Sequence, residues 1–201
     1  MHRIQLTTFL KLLAQSTQEK SKSYRRYDDG GGHDFYHSVK RAVRDLTVMG
    51  RSFEEAAKRM DALSAGPERE RNLEAIQNFR CLLEKRKGSF FHPPEGLFES
   101  PSGNLGVILK PEFGQIYKKK RQVIALWCTR GVKLTPTAAG VGIYMMQSKL
   151  KVGEYANCEF CILDLVEKRL LGPANIPNYA HGLLSVEFAI ADEFFKQDDA
   201  A

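Results

Sequence analysis

The chain has 201 residues and a net charge of +6, with 43% hydrophobic and 27% charged residues, values that are ordinary for a globular protein. A chain of this length can bury one good core, or two small lobes that share an interface. No apolar run approaches the ~20 residues that span a bilayer. The first residues also lack the apolar segment and small-residue cleavage site of a secretory signal. We therefore expect a cytoplasmic protein without membrane association, and the oligomeric state stays open.

Positive charge is concentrated in the first half of the sequence. Residues 1–94 hold 18 Lys and Arg against 12 Asp and Glu, whereas residues 95–201 hold 12 of each kind. A basic half favours an acidic partner, either nucleic acid or an acidic protein surface. A solvated helical face with ordinary charge scatter is the alternative explanation.

The first 92 residues predict helices. An apolar stretch from Ile4 to Leu13 predicts the first, and a polar segment follows it. Apolar residues with a 3.6-residue period then predict a helix that starts at Asp34 and ends before Gly50. Two more helices follow, one opened by a capping box at residues 52–55 and one that has Pro67 in its first turn. Short connections predict that the last three pack as an antiparallel bundle.

The second half predicts strands. Alternation and apolar runs indicate strands at residues 105–109, 113–117, 123–128 and 159–166, with a hairpin turn at residues 118–120. The run at 123–128 is apolar throughout, which is typical of a central strand covered on both faces. Thr135-Pro136 begins a helix between the last two strands, and another helix closes the chain. The sequence thus predicts an α+β protein, with an N-terminal helical bundle followed by a small mixed β-sheet flanked by helices. The bundle belongs to a basic helical region, residues 1–92, and the sheet to an α/β region, residues 93–201.

The order of elements between Leu105 and Val166 is a hairpin, a helix and a further strand, and Pro111-Glu112 precedes one hairpin strand. This arrangement resembles the core of the PD-(D/E)XK restriction-endonuclease-like family. In that family an acid begins one strand and an acid-x-Lys lies on the next, where they hold a divalent metal and position the attacking water. The next strand here, Gln122–Trp127, carries neither an acid nor a lysine. The resemblance therefore implies a degenerate core, and it implies a bacterial conflict or mobile-element setting.

A metal-dependent nuclease needs a second carboxylate, because Glu112 alone is a poor ligand set for Mg²⁺. Glu159 or Asp164 is placed on a neighbouring strand to supply it. The catalytic candidates are therefore Glu112, Glu159 and Asp164, with Mg²⁺ as the cofactor of the nuclease only. The alternative for Glu112 is a surface residue that caps a turn after Pro111, and without nuclease activity we expect no cofactor.

Cys158 and Cys161 have the spacing of half a zinc site. They lie in an apolar strand, where residues three apart point to opposite faces, and no second pair of ligands follows. We therefore expect these cysteines to pack in the core and predict no metal site.

Basic residues with tyrosines among them are typical of nucleic-acid contacts, because cations neutralise phosphates and aromatic rings stack on bases. Those in the predicted second helix lie off its apolar stripe and therefore face solvent. The candidates are Arg25, Arg26, Lys40, Arg41, Arg44, Lys118, Lys119, Lys120 and Arg121. The leading hypothesis is a non-catalytic binding or accessory protein that contacts nucleic acid or a protein partner. The alternatives are a divalent-metal-dependent nuclease and a structural protein-interaction module.

Overall fold

The computed structural model describes residues 1–28 and 34–198, and in residues 17, 21, 25–28 and 196–198 it describes the backbone alone. This part of the chain mixes helices with strands, which confirms the α+β prediction. The helices are α1 (Leu6–Leu13), α2 (Thr17–Asp28), α3 (His37–Thr47), α4 (Phe53–Asp61), α5 (Pro67–Lys85), α6 (Pro136–Leu150) and α7 (Ala180–Asp198). The strands are β1 (His2–Gln5), β2 (Ser89–Phe91), β3 (Gly96–Glu99), β4 (Leu105–Leu109), β5 (Phe113–Tyr117), β6 (Lys120–Trp127), β7 (Glu159–Asp164) and β8 (Arg169–Leu171).

The strands form two mixed sheets. The larger has the order β2-β5-β6-β7-β8, in which β6 and β7 are parallel and the other neighbours are antiparallel. The smaller has the order β1-β4-β3, in which β1 is parallel and β3 antiparallel to β4. Helix α6 connects β6 to β7, because parallel neighbours need a crossover and cannot be joined by a hairpin.

Helices cover both faces of the larger sheet, and β6 is its central strand. Val123, Ala125 and Trp127 belong to a core that also contains residues of α1, α6, α7 and the smaller sheet. Ile124 and Leu126 belong to a second core, formed with α3, α4 and α5. The alternation follows the two-residue period of a strand. It confirms the prediction of a central strand covered on both faces.

Local sequence signals explain how several helices begin. The Ser52 hydroxyl accepts a hydrogen bond from Glu55 N–H with an oxygen–nitrogen distance of 3.2 Å, and the Glu55 carboxylate accepts one from Ser52 N–H at 2.9 Å, so the predicted capping box is confirmed. Thr135 caps α6 as predicted, through a 3.1 Å bond from Ala138 N–H to its hydroxyl oxygen. Helix α3 starts later than expected, since Tyr36 and not Asp34 stands at its N-cap.

The predicted N-terminal helical bundle is not confirmed, because the chain begins with a strand. Ile4 on β1 is paired with Val107 on β4. Helix α1 packs against α6, and α2 packs against α7. Among the described residues of the first five helices, α3, α4 and α5 pack on one another. The pattern of apolar residues between Ile4 and Leu13 therefore belongs to a strand and a helix, and not to one helix.

Elements from both sides of the predicted boundary at residues 92 and 93 share each sheet. Strand β1 pairs with β4, and β2 pairs with β5. Both cores also draw residues from before and after this position. Within residues 1–28 and 34–198, no helix combines the length and the apolarity that a bilayer crossing requires.

Candidate functional site

A cleft of about 340 Å³ opens between α3 and the turn that joins β4 to β5, and we call it the basic cleft. Its volume lies near the lower end of the ~300–1,000 Å³ that ligand sites occupy. Five basic side chains face two carboxyl groups and one amide across it. The lining residues are Gln5, Asp34, His37, Lys40, Arg41, Arg44, Lys110 and Glu112.

Helix α3 supplies most of the cations because its two faces differ in polarity. Val39, Ala42 and Val43 have no exposed surface and pack in the second core. The basic residues of the same helix lie outside that core and line the basic cleft. The structure thus brings Lys40, Arg41 and Arg44, three of the residues predicted to bind nucleic acid, into one cleft.

Glu112 forms the floor of the basic cleft and is only 6% exposed. Its Oε2 accepts a hydrogen bond from Leu126 N–H with an oxygen–nitrogen distance of 2.7 Å. Burial raises the pKa of Glu112 to about 7, although Lys40, the Leu126 N–H and Arg44 act in the opposite direction. A carboxyl group with this pKa changes its charge near neutral pH, so the net charge of the cleft depends on pH there.

Lys40 lies beside this carboxyl group, and Lys11 on α1 lies near enough to Lys40 for their charges to repel. The Lys40 ammonium lies 3.0 Å from Asp34 Oδ2. Burial acts to lower the pKa of Lys40, but the carboxylates of Glu112 and Asp34 outweigh it, and the pKa is raised. Lys11 on α1 has a lowered pKa because it is buried and because Lys40 repels its charge. Lys40 therefore keeps its positive charge at neutral pH, as a contact with an anionic ligand requires.

The outer wall of the cleft is formed by Arg44 and Lys110, which share one carboxylate. Arg44 lies 3.4 Å from Glu95 Oε1, and Lys110 Nζ lies 3.0 Å from Glu95 Oε2. Arg44 also donates a 3.1 Å hydrogen bond to the carbonyl oxygen of Pro111, which fixes its guanidinium against the turn. Arg41 is exposed at the cleft and has no hydrogen bond or ion pair to another described residue, so its guanidinium is free to bind a ligand.

The structure does not bring the three predicted catalytic carboxylates together. Glu159 and Asp164 stand at opposite ends of β7, about 17 Å apart at ~3.3 Å per residue. The Glu159 carboxylate accepts hydrogen bonds from Lys120 at 2.8 Å and from Gln122 at 3.1 Å. Neither Glu159 nor Asp164 lines the basic cleft with Glu112. Among the described residues, no group of three or more His, Cys, Asp or Glu side chains is placed to hold a metal ion.

Asp164 instead organises the turn between β7 and β8. Its Oδ1 accepts hydrogen bonds from the N–H groups of Val166 and Glu167, each at 3.1 Å, and its Oδ2 accepts one from Arg169 Nε at 3.3 Å. A carboxylate with three donors already bound has little capacity left for a metal. Cys158 and Cys161 are buried in different cores, which confirms the prediction that they pack on opposite faces.

The basic residues of the hairpin form a second surface, away from the basic cleft. Lys120 begins β6 and Leu126 lies next to Glu112, six residues further along, a separation of about 20 Å. Lys118 and Lys119 are exposed at the tip of the turn. The Arg121 guanidinium lies 4.7 Å from the centroid of the Phe91 ring. Arg25 and Arg26 lie in α2, and their side chains are outside the described part of the structure.

Sequence reasoning missed Lys110, His37 and Gln5 as members of the site. Lys110 stands directly before Pro111-Glu112, the pair on which the resemblance to a nuclease core rests. This position in the sequence is the signal that could have identified it as a site residue. Gln5 gives no such signal, because only the pairing of β1 with β4 places it at the cleft. Comparison of the chain with models of known protein families gives no match, and comparison with curated proteins also gives none.

Proposed function

We propose that this protein binds nucleic acid through the basic cleft and acts as a non-catalytic binding or accessory protein. The observation that carries the proposal is the convergence of Lys40, Arg41, Arg44 and Lys110 on one cavity. These cations come from two distant parts of the chain, and only the fold brings them together. Lys and Arg side chains in such a group supply the phosphate contacts on which nucleic-acid affinity depends.

As a ligand group, phosphate suits the site better than a single carboxylate does. Asp34 pairs with Lys40, and Glu95 is shared by Arg44 and Lys110, so the described carboxylates compensate part of the positive charge. Arg41 has no such partner among the described residues. An arginine binds two phosphate oxygens at once through its planar guanidinium, which gives it geometric specificity as well as charge. The resemblance of residues 105–166 to a restriction-endonuclease-like core also supports a nucleic-acid partner.

Metal-dependent cleavage draws less support from the geometry. Glu112 lines the basic cleft, but Glu159 and Asp164 are bonded elsewhere. One carboxylate supplies too few oxygen ligands for the octahedral shell of Mg²⁺. We therefore place nuclease activity second, with Glu112 as the residue on which it would depend. An acidic protein surface is the other partner that the cations fit, and a structural interaction module is the remaining alternative.

The proposal is tested by measuring the affinity of the protein for labelled DNA and RNA as a function of salt. We expect the logarithm of the binding constant to fall with the logarithm of salt concentration, by about 0.9 per phosphate contact on a duplex and about 0.7 on a single strand. Arg41→Ala and Lys110→Ala should each weaken binding and each reduce that slope by about one contact. Lys58→Ala is the matched control, because Lys58 is exposed on α4 and does not line the cleft.

Three outcomes count against the proposal. Affinity that does not change between about 50 and 200 mM salt excludes phosphate contacts as the source of binding. Cleavage of the probe in Mg²⁺ or Mn²⁺ that disappears in Glu112→Ala establishes the nuclease alternative in place of a non-catalytic role. If Lys58→Ala loses binding to the same extent as Arg41→Ala, the interface lies elsewhere on the protein.

A further inference from the structure

A smaller pocket of about 190 Å³ adjoins the basic cleft at the C-terminal end of α3. Three apolar residues line it, whereas every residue that lines the cleft is polar or charged. Its lining residues are Arg44, Val48, Met49, His92, Pro93, Glu95 and Glu112. The volume is about six times the ~30 Å³ that one water molecule occupies in the liquid, so the pocket has room for more than a single ordered water.

The pocket and the basic cleft share two residues. Arg44 and Glu112 line both cavities. A ligand that has its charged part among Lys40, Arg41 and Lys110 can therefore extend past Arg44 into the pocket. Such a ligand has an anionic end and a largely apolar end.

A nucleotide has these two parts. Its phosphate fits the cations of the cleft, and its base fits a pocket with apolar walls. Met49 is 60% exposed although it is a large apolar residue, so its side chain is available to cover the face of a base. Guanidinium planes and imidazole rings also stack on bases, and the pocket offers Arg44 and His92 for that role.

We propose that the site takes an unpaired nucleotide of a single strand, with the phosphate in the basic cleft and the base in the adjoining pocket. In a duplex the faces of each base are covered by its neighbours, so a base reaches such a pocket only when it is unpaired and unstacked. The carboxyl groups of Glu95 and Glu112 are acceptors for the exocyclic amino groups of adenine, cytosine and guanine. This inference rests on the proposed function, because it names the nucleic-acid form that the same cleft selects.

The experiment compares three labelled probes at one salt concentration. They are a single-stranded oligonucleotide, its duplex with the complementary strand, and a strand of the same length whose sites are abasic. The abasic strand keeps the phosphates and loses the bases, so the ratio of the two single-strand affinities isolates the base contacts. We expect the ordinary strand to bind about tenfold more tightly than the abasic one, a difference within the range for one stacked base, and more tightly than the duplex.

Met49→Ala should bring the ratio of ordinary to abasic affinity towards one and leave the salt slope unchanged. Val152→Ala is the matched control, since Val152 is 63% exposed and lines neither cavity. An abasic strand or a duplex that binds as tightly as the ordinary strand overturns this inference and leaves the proposed function intact. Absence of salt-dependent binding to every probe overturns both.

Discussion

Asn72 on α5 accepts a hydrogen bond at its Oδ1 from the backbone N–H of Val39 on α3, with an oxygen–nitrogen distance of 3.1 Å. The Nδ2 of the same side chain donates to the carbonyl oxygens of Phe35 and Glu68, at 2.7 and 2.8 Å. Asn72 has no exposed surface. It therefore satisfies a backbone donor in the first turn of α3 and fixes the helix that carries Lys40 and Arg41 into the basic cleft.

Asn72→Ala should lower the free energy of unfolding by about 3 kcal/mol, because it leaves buried backbone groups without a partner. Denaturant titration measures the change. Gln77→Ala is the control on the same helix, since Gln77 is exposed, and a surface substitution of this kind changes stability by less than about 0.5 kcal/mol. Equal stability of the two variants would show that α3 is fixed by its apolar face alone.

Glu112→Gln should remove a pH dependence of stability. The pKa of Glu112 is raised from its ordinary 4.5 to about 7 in the folded protein, chiefly by burial, so folding favours the neutral form. The stabilisation from this group is complete below about pH 4.5 and is lost as the pH rises to about 7. The variant has no charge to bury, and we expect it to become more stable than the wild type across this window, by about 3 kcal/mol above pH 7.

The unfolding free energies of both proteins should be measured between about pH 4 and pH 8, the range in which the group titrates. Glu84→Gln, at a side chain that is 65% exposed, is expected to follow the wild-type curve. The same Glu112→Gln variant should bind nucleic acid more tightly at pH 8, because one negative charge leaves the floor of the cleft. Parallel stability curves for wild type and variant would contradict the buried position of this carboxyl group.

Sequence reasoning recovers the elements whose signals are local. The apolar run of β6 and the capping box at Ser52 are properties of neighbouring residues, and both are found in the structure. Strand β1 was missed because its partner Val107 is distant in sequence and Ile4 fits a helical pattern equally well. Helix α2 has few apolar residues, and it packs against α7, a contact that the sequence does not show.

The candidate site likewise contains residues that the sequence predicts and residues that only the folded chain brings together. Lys40, Arg41 and Arg44 share one helix, so their spacing predicts that they lie together. The contribution of Lys110 depends on how β4 is placed beside α3, which only the folded chain determines. The carboxylates of Glu159 and Asp164, which were expected to join Glu112, do not line the cleft with it. The two ends of β7 are far apart, and the local bonds of Glu159 and Asp164 occupy them.

A buried ion pair joins α2 to α7. Lys20 Nζ donates to Glu187 Oε2, and Tyr24 donates a 3.1 Å hydrogen bond to Glu187 Oε1. Lys20 is 7% exposed and Glu187 3% exposed. Lys20→Met should destabilise the protein by about 3 kcal/mol, because it leaves the carboxylate buried without its cation.

A double-mutant cycle tests this coupling. Glu187→Gln removes the charge and keeps an acceptor for Tyr24, so the double variant Lys20→Met/Glu187→Gln should be more stable than Lys20→Met alone by at least about 1 kcal/mol. Unfolding free energies of the four proteins provide the coupling energy. Strict additivity of the two single changes would show that the pair contributes no specific interaction.

The turn between β5 and β6 places two lysines in a backbone conformation that favours other residues. Lys118 and Lys119 have φ angles of 48° and 66°. A two-residue hairpin turn with positive φ at both central positions is of type I′, for which Asn-Gly is preferred. Lys118→Asn/Lys119→Gly should therefore raise the free energy of unfolding by about 1–2 kcal/mol.

The same double variant tests whether the hairpin or the basic cleft contacts the phosphates. The variant removes two charges about 20 Å from Glu112. Neither Lys118 nor Lys119 lines the cleft or its adjoining pocket. If the cleft carries the phosphate contacts, the variant is more stable and keeps the wild-type salt slope. A slope lower by about two contacts would instead assign the binding surface to the hairpin, and the strain in its backbone would then accompany a function at this turn.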